Sequence, residues 1–164
     1  GFYERLGWQR ADVGVFASVR GGGGRREILQ PLAPDALDRL RLASTPPRLT
    51  RTAADWQAVP IPSTTVGCFR SEDAYVLCGE LNDERYVYEA HGPQNALSGL
   101  WRQVTSGVSR VHVNDWTGGA LHRLFENEAG VAFKRQRLAF WQLLSPRATG
   151  AEWQRWHLPW FDRI

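Results

Sequence analysis

The stretch that decides the fold runs from Thr64 to Val104 and begins with three short apolar runs. They read TTVGCFR over residues 64–70, AYVLCGEL over 74–81 and RYVYEAH over 85–91. Each run is rich in β-branched and aromatic residues and has the length of a typical strand. The breaks between them, Ser71 to Asp73 and Asn82-Asp83, contain turn-forming residues and are too short for a parallel crossover. The stretch therefore predicts an antiparallel three-stranded meander.

An amphipathic helix is predicted directly after the meander, over residues 95–106. Four apolar residues fall at positions i, i+3, i+4 and i+7 and form one stripe, namely Leu97, Leu100, Trp101 and Val104. Asn95 is a suitable N-cap, and Gly107 is a suitable C-terminal stop.

The remaining elements complete the order β-α-α-β-β-β-α-β-α-β-β between residues 27 and 144. Outside the meander and its helix, these are strands at 27–32, 110–114, 131–134 and 138–144, and helices from Pro34, from Thr52 and from Ala120 to Gly130. A further strand is predicted ahead of this order, at 12–20. Antiparallel hairpins and a crossover helix are both required. The fold class is therefore α/β (α+β), with a mixed, mostly antiparallel central sheet and flanking helices.

The composition excludes several classes of function. A chain of 164 residues with 43% apolar and 23% charged residues is typical of a globular protein with a real core. No apolar run has the length of a membrane span, so we expect no membrane partner. The net charge of +3 comes from scattered arginines without a basic and aromatic stripe. This pattern argues against nucleic acid and suits an anionic small ligand.

The cysteines, histidines and glycines leave some alternatives open. Cys68 and Cys78 fall in adjacent predicted strands, where they are either a cross-hairpin disulfide or small core thiols. Two cysteines without CxxC spacing favour core thiols and a cytoplasmic location. The histidines lack metal-ligand spacing, so no metal is expected, and His112 is interpreted as a satisfied sheet residue. The run Gly21 to Gly24 is a flexible linker or a long turn, because it lacks the features of a P-loop.

The order of elements resembles that of the GNAT N-acetyltransferase superfamily, the acyl-CoA N-acyltransferase fold. A local motif adds to the resemblance: FYERLGW at 2–8 is similar to a helix end found late in family members. In those members a tyrosine is followed four residues later by glycine and then by an aromatic residue. A weaker copy, LFENEAGV, occurs at 124–131.

Two such motifs imply a tandem arrangement. In that arrangement residues 1–20 are the remnant of an upstream GNAT domain, 21–24 a linker, 25–144 a second, degenerate GNAT-like domain, and 145–164 a tryptophan-rich tail. The start at Gly1, without methionine, predicts a piece of a longer protein. Alternatively, residues 1–20 are the first helix and strand of a single domain. The tail tryptophans are expected to pack on their own domain rather than to form an exposed surface.

The resemblance also implies a co-substrate, acetyl-CoA. The family holds its pyrophosphate on backbone N–H groups, usually in an Arg/Gln-x-x-Gly-x-Gly/Ala turn before a helix. The matching segment here is EAHGPQNA, residues 89–96, which has acidic Glu89 at the first position and Pro93, which lacks an N–H. The expected cofactor-binding residues are four in the turn and one at the end of the central strand: Gly92, Gln94, Asn95, Ala96 and Asn114.

The catalytic residues carried over from the family are incomplete. Many members use a glutamate on the fourth strand as base, often through water, and a tyrosine on the penultimate helix as acid. Glu89 stands at the first position, although a solvated strand-end carboxylate is the alternative. Phe125 stands at the second and has no proton to donate, whereas Tyr3 would fit but belongs to the upstream domain in the tandem arrangement. Tyr86 and Tyr88 are expected to be sheet residues.

Two functions follow from the resemblance. The first is an acyl-CoA-dependent N-acetyltransferase, or its C-terminal domain, which acts on a small-molecule or peptide amine. The second is a non-catalytic accessory domain that shapes the pocket of the upstream GNAT domain or forms a homo-oligomer. The imperfect phosphate turn and Phe125 favour the second function, and the fold favours the first.

Overall fold

The computed structural model describes residues 5–6, 9–10, 13–32, 36, 39–40, 65–126, 131–137 and 140–141. The strands with defined ends are β1 (Gln9–Arg10), β2 (Val13–Arg20), β3 (Thr65–Arg70), β4 (Tyr75–Leu81), β5 (Glu84–His91), β6 (Arg110–Trp116), β7 (Lys134–Arg137) and β8 (Phe140–Trp141). The helices with defined ends are α1 (Gln94–Thr105) and α2 (Ala120–Phe125). None of the helices in these residues is long and apolar enough to cross a bilayer.

The described strands form a six-stranded sheet in the order β3-β4-β5-β6-β2-β7. Its pairs are antiparallel except β5 with β6, which run parallel and are joined through α1. The predicted mixed, mostly antiparallel sheet is therefore confirmed, and so is the meander, which extends from the edge strand β3 to β5. β1 and β8 pair with each other in a separate two-stranded ladder.

Helix α1 begins earlier than predicted. Pro93 is its N-cap, with extended φ and ψ of −68° and 152°, so Asn95 lies in the first turn and its prediction as the N-cap was wrong. The fixed φ of proline suits the entry into a helix. The C-terminal stop is confirmed, because Gly107 has a φ of 64°, in the left-handed region that glycine adopts easily.

The strand predicted at 27–32 was wrong, because it is reduced to one bridge on the edge of β3. Gln30 and Cys68 exchange two backbone hydrogen bonds of 2.9 Å. No other pair between this segment and β3 is present in the described residues, and Glu27 O accepts a hydrogen bond from the Arg85 side chain instead. Ala36, Arg39 and Leu40 are helical, as predicted for the helix from Pro34. The helix predicted from Thr52 lies outside the described residues.

The predicted strand near the N-terminus is confirmed and lies inside the sheet. β2 pairs with β6 over Gly14 to Arg20 and with β7 over Val13 to Phe16. Of the two alternatives for the glycine run, the structure favours a fixed turn. Gly22 N donates to Thr105 O at 2.8 Å, and a Cβ on Gly21 would lie 1.7 Å from Val108 O. The division of the chain into an upstream remnant and a second domain stays a prediction.

The closing elements differ from the prediction. β7 begins only at Lys134, three residues after the expected start, and β8 pairs with β1 instead of joining the main sheet. The predicted helix from Ala120 is confirmed as far as Phe125. Its expected end at Gly130 and the tail at 145–164 lie outside the described residues.

The sheet is buried on both faces. One face packs against α1 and α2 through residues such as Val76, Val87 and Leu97. The other face carries Tyr75, Leu77 and Tyr88, and contacts Leu32 and Leu40. The first is called the helix face below, and the second the opposite face.

The two cysteines lie on different faces of the sheet. Cys78 packs on the helix face and Cys68 on the opposite face, since Cys78 pairs with Gly67 rather than with Cys68. Both are free thiols, so the disulfide alternative was wrong. Burial raises the pKa of both thiols.

Candidate functional site

The site lies where the two parallel strands separate. β5 and β6 pair only from Glu84 with Arg110 to Val87 with Val113, and beyond these pairs the two strands part. A β-bulge falls at the same level, because Cys78 pairs with Val87 while Leu77 pairs with Glu89. The extra residue bends β5 and increases its twist, which takes it away from β6. The carboxyl ends of the two neighbouring strands are therefore no longer paired, and the place where they part is called the cleft below.

Glu89 lies immediately after the bulge and is only 3% exposed. Its Oε1 accepts a hydrogen bond of 2.5 Å from the Tyr75 hydroxyl. His91 Nε2 lies 3.1 Å from the same oxygen. The alternative of a solvated strand-end carboxylate was therefore wrong. The three side chains form one buried, hydrogen-bonded group, called the Glu89 group below.

Tyr75 is the member of the Glu89 group that sequence reasoning missed. It pairs directly with His91 across β4 and β5, and the two rings are 5.3 Å apart. A sequence gives the two-residue alternation of each strand but not the register between strands, and the bulge shifts that register by one residue. One signal for this contact was available in the sequence. In an antiparallel meander, the first residues of β4 lie opposite the last residues of β5.

The predicted phosphate turn connects the Glu89 group to α1. Gly92 has a φ of 132°, and a Cβ there would lie 2.4 Å from the Ala74 Cβ, so only glycine fits. Gln94 and Asn95 are exposed at the start of the helix, and Ala96 is half-buried. The first backbone N–H groups of a helix have no intrahelical acceptor. Among the described residues, no side chain is hydrogen-bonded to these groups of α1.

Helix α2 begins differently, because a buried carboxylate closes its N-terminus. Asp115, 7% exposed, accepts hydrogen bonds of 2.8 Å from the backbone N–H groups of Leu121 and His122. Its other oxygen accepts one of 2.9 Å from Trp116 N. Gln94 connects the two helices, since its side-chain amide donates to Ala120 O at 3.1 Å. Sequence reasoning missed Asp115, because it lies in β6, five residues before Ala120, whereas the N-cap position is Gly119.

The other predicted site residues occupy different positions. Asn114 is half-buried on β6, one residue beyond the last pair with β5. It therefore borders the cleft, opposite Phe16 of β2. Phe125 is buried and packs edge-on against Trp101, with ring centroids 4.6 Å apart, so it is a core residue. Tyr3 lies outside the described residues.

A second polar group lies at the other end of β5. Glu84 Oε2 is 2.9 Å from His112 Nε2 and accepts a hydrogen bond of 3.1 Å from the Tyr86 hydroxyl. The hydrogen bonds with His112 and Tyr86 hold the pKa of Glu84 below its usual range. Desolvation, together with the hydrogen bond to Glu84, raises the pKa of Tyr86. The Tyr86 and His112 rings stack at 4.6 Å, so His112 is a satisfied sheet histidine, as predicted.

Comparisons with known proteins find solved structures with a similar fold. No protein-family model and no curated protein matches the sequence. The GCN5-related N-acetyltransferase from Kribbella flavida is similar in structure, with a TM-score of 0.55 and 21% identity over 82% of this chain and 39% of that chain. A GCN5-related N-acetyltransferase from Anabaena variabilis ATCC 29413 gives a TM-score of 0.54 and 14% identity over 83% of this chain and 42% of that chain. The chain thus spans about two fifths of either solved structure. At these identities the likeness shows the fold, and this chain has the fold of the GCN5-related N-acetyltransferases.

Proposed function

We propose that the chain is an acyl-CoA-dependent N-acetyltransferase, or a domain of one, that transfers acetyl from acetyl-CoA to an amine. The observation that carries the proposal is the buried Glu89 carboxylate at the point where β5 leaves β6. A carboxylate held away from water beside the cleft is suited to act as a general base. The fold shared with GCN5-related N-acetyltransferases supports the same activity.

Acetyl-CoA would bind along the cleft, with its pyrophosphate at the start of α1. Backbone N–H groups and the helix dipole make a helix N-terminus suitable for an anion, and Gln94, Asn95 and Ala96 supply the first N–H groups of α1. Gly92 allows the tight passage from β5 into this turn. Asn114 borders the cleft at the position proposed for the pantetheine arm. These residues fit the co-substrate, although Pro93 contributes no N–H.

Acetyl-CoA supplies the thioester whose C–S bond breaks as the new C–N bond forms. In this proposal, Glu89 accepts the proton of the amine, directly or through water. The hydrogen bond from Tyr75 fixes the carboxylate, and His91 lies close enough to pass the proton on. A thiol has a pKa of about 8.5, so the CoA thiolate leaves without a dedicated protein acid. Phe125 in place of a tyrosine is therefore compatible with turnover.

The substitution Glu89→Gln tests this function. Release of free thiol from acetyl-CoA is measured with a panel of amines. We expect turnover to fall about 100-fold or more, the usual contribution of a general base, with acetyl-CoA affinity unchanged. Glu84→Gln is the matched control, because it makes the same change at the other end of β5 and is expected to keep turnover within about twofold. Equal turnover of wild type and Glu89→Gln would exclude the base role.

The second candidate function is a non-catalytic accessory domain, which buried Phe125 and N–H-free Pro93 favour. In that case the chain would shape the pocket of an upstream GNAT domain in a tandem protein, or form a homo-oligomer. The FYERLGW motif at 2–8 supports the tandem proposal. Acetyl-CoA binding without thiol release for any amine would favour this function. For either function we propose a cytoplasmic location, which the two buried free thiols support.

A further inference from the structure

A serine, a histidine and a carboxylate form a hydrogen-bonded chain at the end of β5 away from Glu89. Ser18 of β2 pairs with His112 of β6, and its Oγ lies 3.4 Å from His112 Nδ1. On the other side of the ring, His112 Nε2 lies 2.9 Å from Glu84 Oε2. These three side chains, called the Ser18 group below, share no member with the Glu89 group.

The carboxylate determines which nitrogen of His112 is able to act as a base. The hydrogen bonds with His112 and Tyr86 hold the pKa of Glu84 below its usual range, so Glu84 is ionised at neutral pH. An ionised carboxylate only accepts hydrogen bonds, and the Nε2 atom beside it therefore carries the ring proton. Nδ1 is then the unprotonated nitrogen, to which the Ser18 hydroxyl donates. Nucleophile, base and orienting carboxylate in this order are the arrangement that activates a serine.

Two aromatic rings fix the plane of the His112 imidazole. The Tyr86 ring lies 4.6 Å from it at an interplanar angle of 16°, and the Phe16 ring lies 6.0 Å from it at 17°. The imidazole is thus oriented by ring contacts as well as by hydrogen bonds, and Nδ1 stays directed at β2. A group that is already oriented needs no rearrangement when the reaction begins.

The serine is exposed and has positive charge nearby. Ser18 is exposed, whereas Glu84 and His112 are half-buried. Arg20 follows Ser18 by two residues on β2, so it lies on the same face of the sheet, and it pairs with Arg110 of β6. Both arginines are exposed. Arginine is able to stabilise the oxyanion that forms when a hydroxyl attacks a carbonyl group.

We propose that Ser18 is the nucleophile of an esterase site in which His112 is the base. Ser18 Oγ attacks the ester carbonyl, its proton passes to His112 Nδ1, and the ester C–O bond breaks as that proton moves to the leaving alkoxide. Water, deprotonated by His112, then attacks the acyl-serine, releases the carboxylic acid and restores the Ser18 hydroxyl. Glu84 stabilises the imidazolium and acts through His112 as a positioning residue. This activity is separate from the amine acetylation proposed for Glu89.

The test labels the protein with diisopropyl fluorophosphate, which phosphorylates activated serines, and measures hydrolysis of p-nitrophenyl acetate. We expect one label per wild-type chain, located on Ser18 by peptide mass spectrometry, and none on Ser18→Ala, whose substitution lies at an exposed position. His112→Gln lacks the base and should react with both probes about 100-fold more slowly. Ser98→Ala, which removes an exposed serine from α1, is the control and should react like wild type.

The pH dependence of labelling tests the part played by Glu84. Glu84→Gln should lower the pH midpoint of the labelling rate, because a neutral amide no longer stabilises the His112 imidazolium. A purely structural role of Glu84 would leave that midpoint in place and would overturn its positioning role.

Two results would overturn the esterase site itself. One is label spread over several side chains, and the other is equal reaction of wild type and Ser18→Ala with both probes. Amine-dependent thiol release from acetyl-CoA should be the same in wild type and Ser18→Ala, since Glu89 lies at the other end of β5. Its loss in Ser18→Ala would contradict the separation of the two sites.

Discussion

The N-termini of α1 and α2 lie side by side, but in the described part of the chain only α2 has a side chain hydrogen-bonded to its first backbone N–H groups. The Gln94 side chain joins the two helix starts through its hydrogen bond to Ala120 O. At α2, the buried Asp115 carboxylate accepts the backbone N–H groups of Leu121 and His122. At α1, the N-cap is Pro93, and no side chain in the described part of the chain takes the corresponding groups.

The other end of α1 sharpens this contrast. Arg85, a fully buried side chain, donates from Nη1 to Gln103 O at 2.7 Å and to Val104 O at 2.9 Å. Its Nε forms an ion pair of 2.7 Å with Glu80. A buried charged side chain therefore lies at each of two helix ends, Asp115 at the start of α2 and Arg85 at the end of α1. The start of α1 has no such charge among the described residues, and we propose that it binds the pyrophosphate of acetyl-CoA.

The largest expected effect comes from removing the charge at the closed end of α1. Arg85→Met removes the donor for three carbonyl groups, those of Gln103, Val104 and Glu27, and leaves Glu80 without its closest cation. Loss of one partner of a buried ion pair costs about 3–5 kcal/mol, so we expect the free energy of unfolding in urea to fall by about that amount. Arg102→Met, on the exposed side of the same helix, is the control and should change it by less than about 0.5 kcal/mol. A loss below about 1 kcal/mol for Arg85→Met would contradict the buried cap.

A smaller loss is expected at the start of α2. Asp115→Ala leaves three backbone N–H groups without their acceptor, and we expect the free energy of unfolding to fall by about 2–3 kcal/mol. Asp83→Ala, at an exposed aspartate in an ion pair with Arg26, is the control and should cost under about 1 kcal/mol. If the two variants were equally stable, the capping role of Asp115 would be wrong.

The sequence predicted the parts of the fold that depend on local patterns. The meander was predicted from short runs rich in β-branched and aromatic residues, and α1 from apolar residues at helical spacing. The end of α1 was predicted at Gly107 because glycine easily adopts the left-handed conformation that often follows a helix. The strand prediction at 27–32 failed because only Gln30 pairs with β3, and Glu27 O is held by the distant Arg85 side chain, a contact that a local pattern does not show. The position of β2 between β6 and β7 depends on contacts about a hundred residues apart, for which a local pattern carries no information.

The candidate site was predictable only in part, for the same reason. Glu89 and the turn at 92–96 were predicted from the resemblance to the GNAT superfamily, because the family's phosphate turn is one continuous segment that can be matched to residues 89–96. Tyr75 reaches Glu89 only through the register of β4 with β5, which the bulge shifts. This partner could not be predicted before the strands were placed side by side.

The smallest change, Asn95→Asp, tests the central claim by placing a carboxylate at the open start of α1. A negative charge in the first turn stabilises a helix by about 0.3–1 kcal/mol, so the variant should be as stable as wild type or slightly more stable. The same charge should repel a bound pyrophosphate by about 1 kcal/mol, which is roughly a fivefold loss of affinity. Ser98→Asp, one turn later on the exposed side, is the matched control and should change affinity less than twofold.

The decisive measurement is therefore a calorimetric titration of wild type, Asn95→Asp and Ser98→Asp with acetyl-CoA at low salt. We expect micromolar binding to wild type, binding about fivefold weaker to Asn95→Asp, and near-wild-type binding to Ser98→Asp. Two results would contradict this expectation. One is no binding to wild type up to about 1 mM, a free energy weaker than about −4 kcal/mol. The other is equal affinity of wild type and Asn95→Asp, which would place the pyrophosphate away from α1.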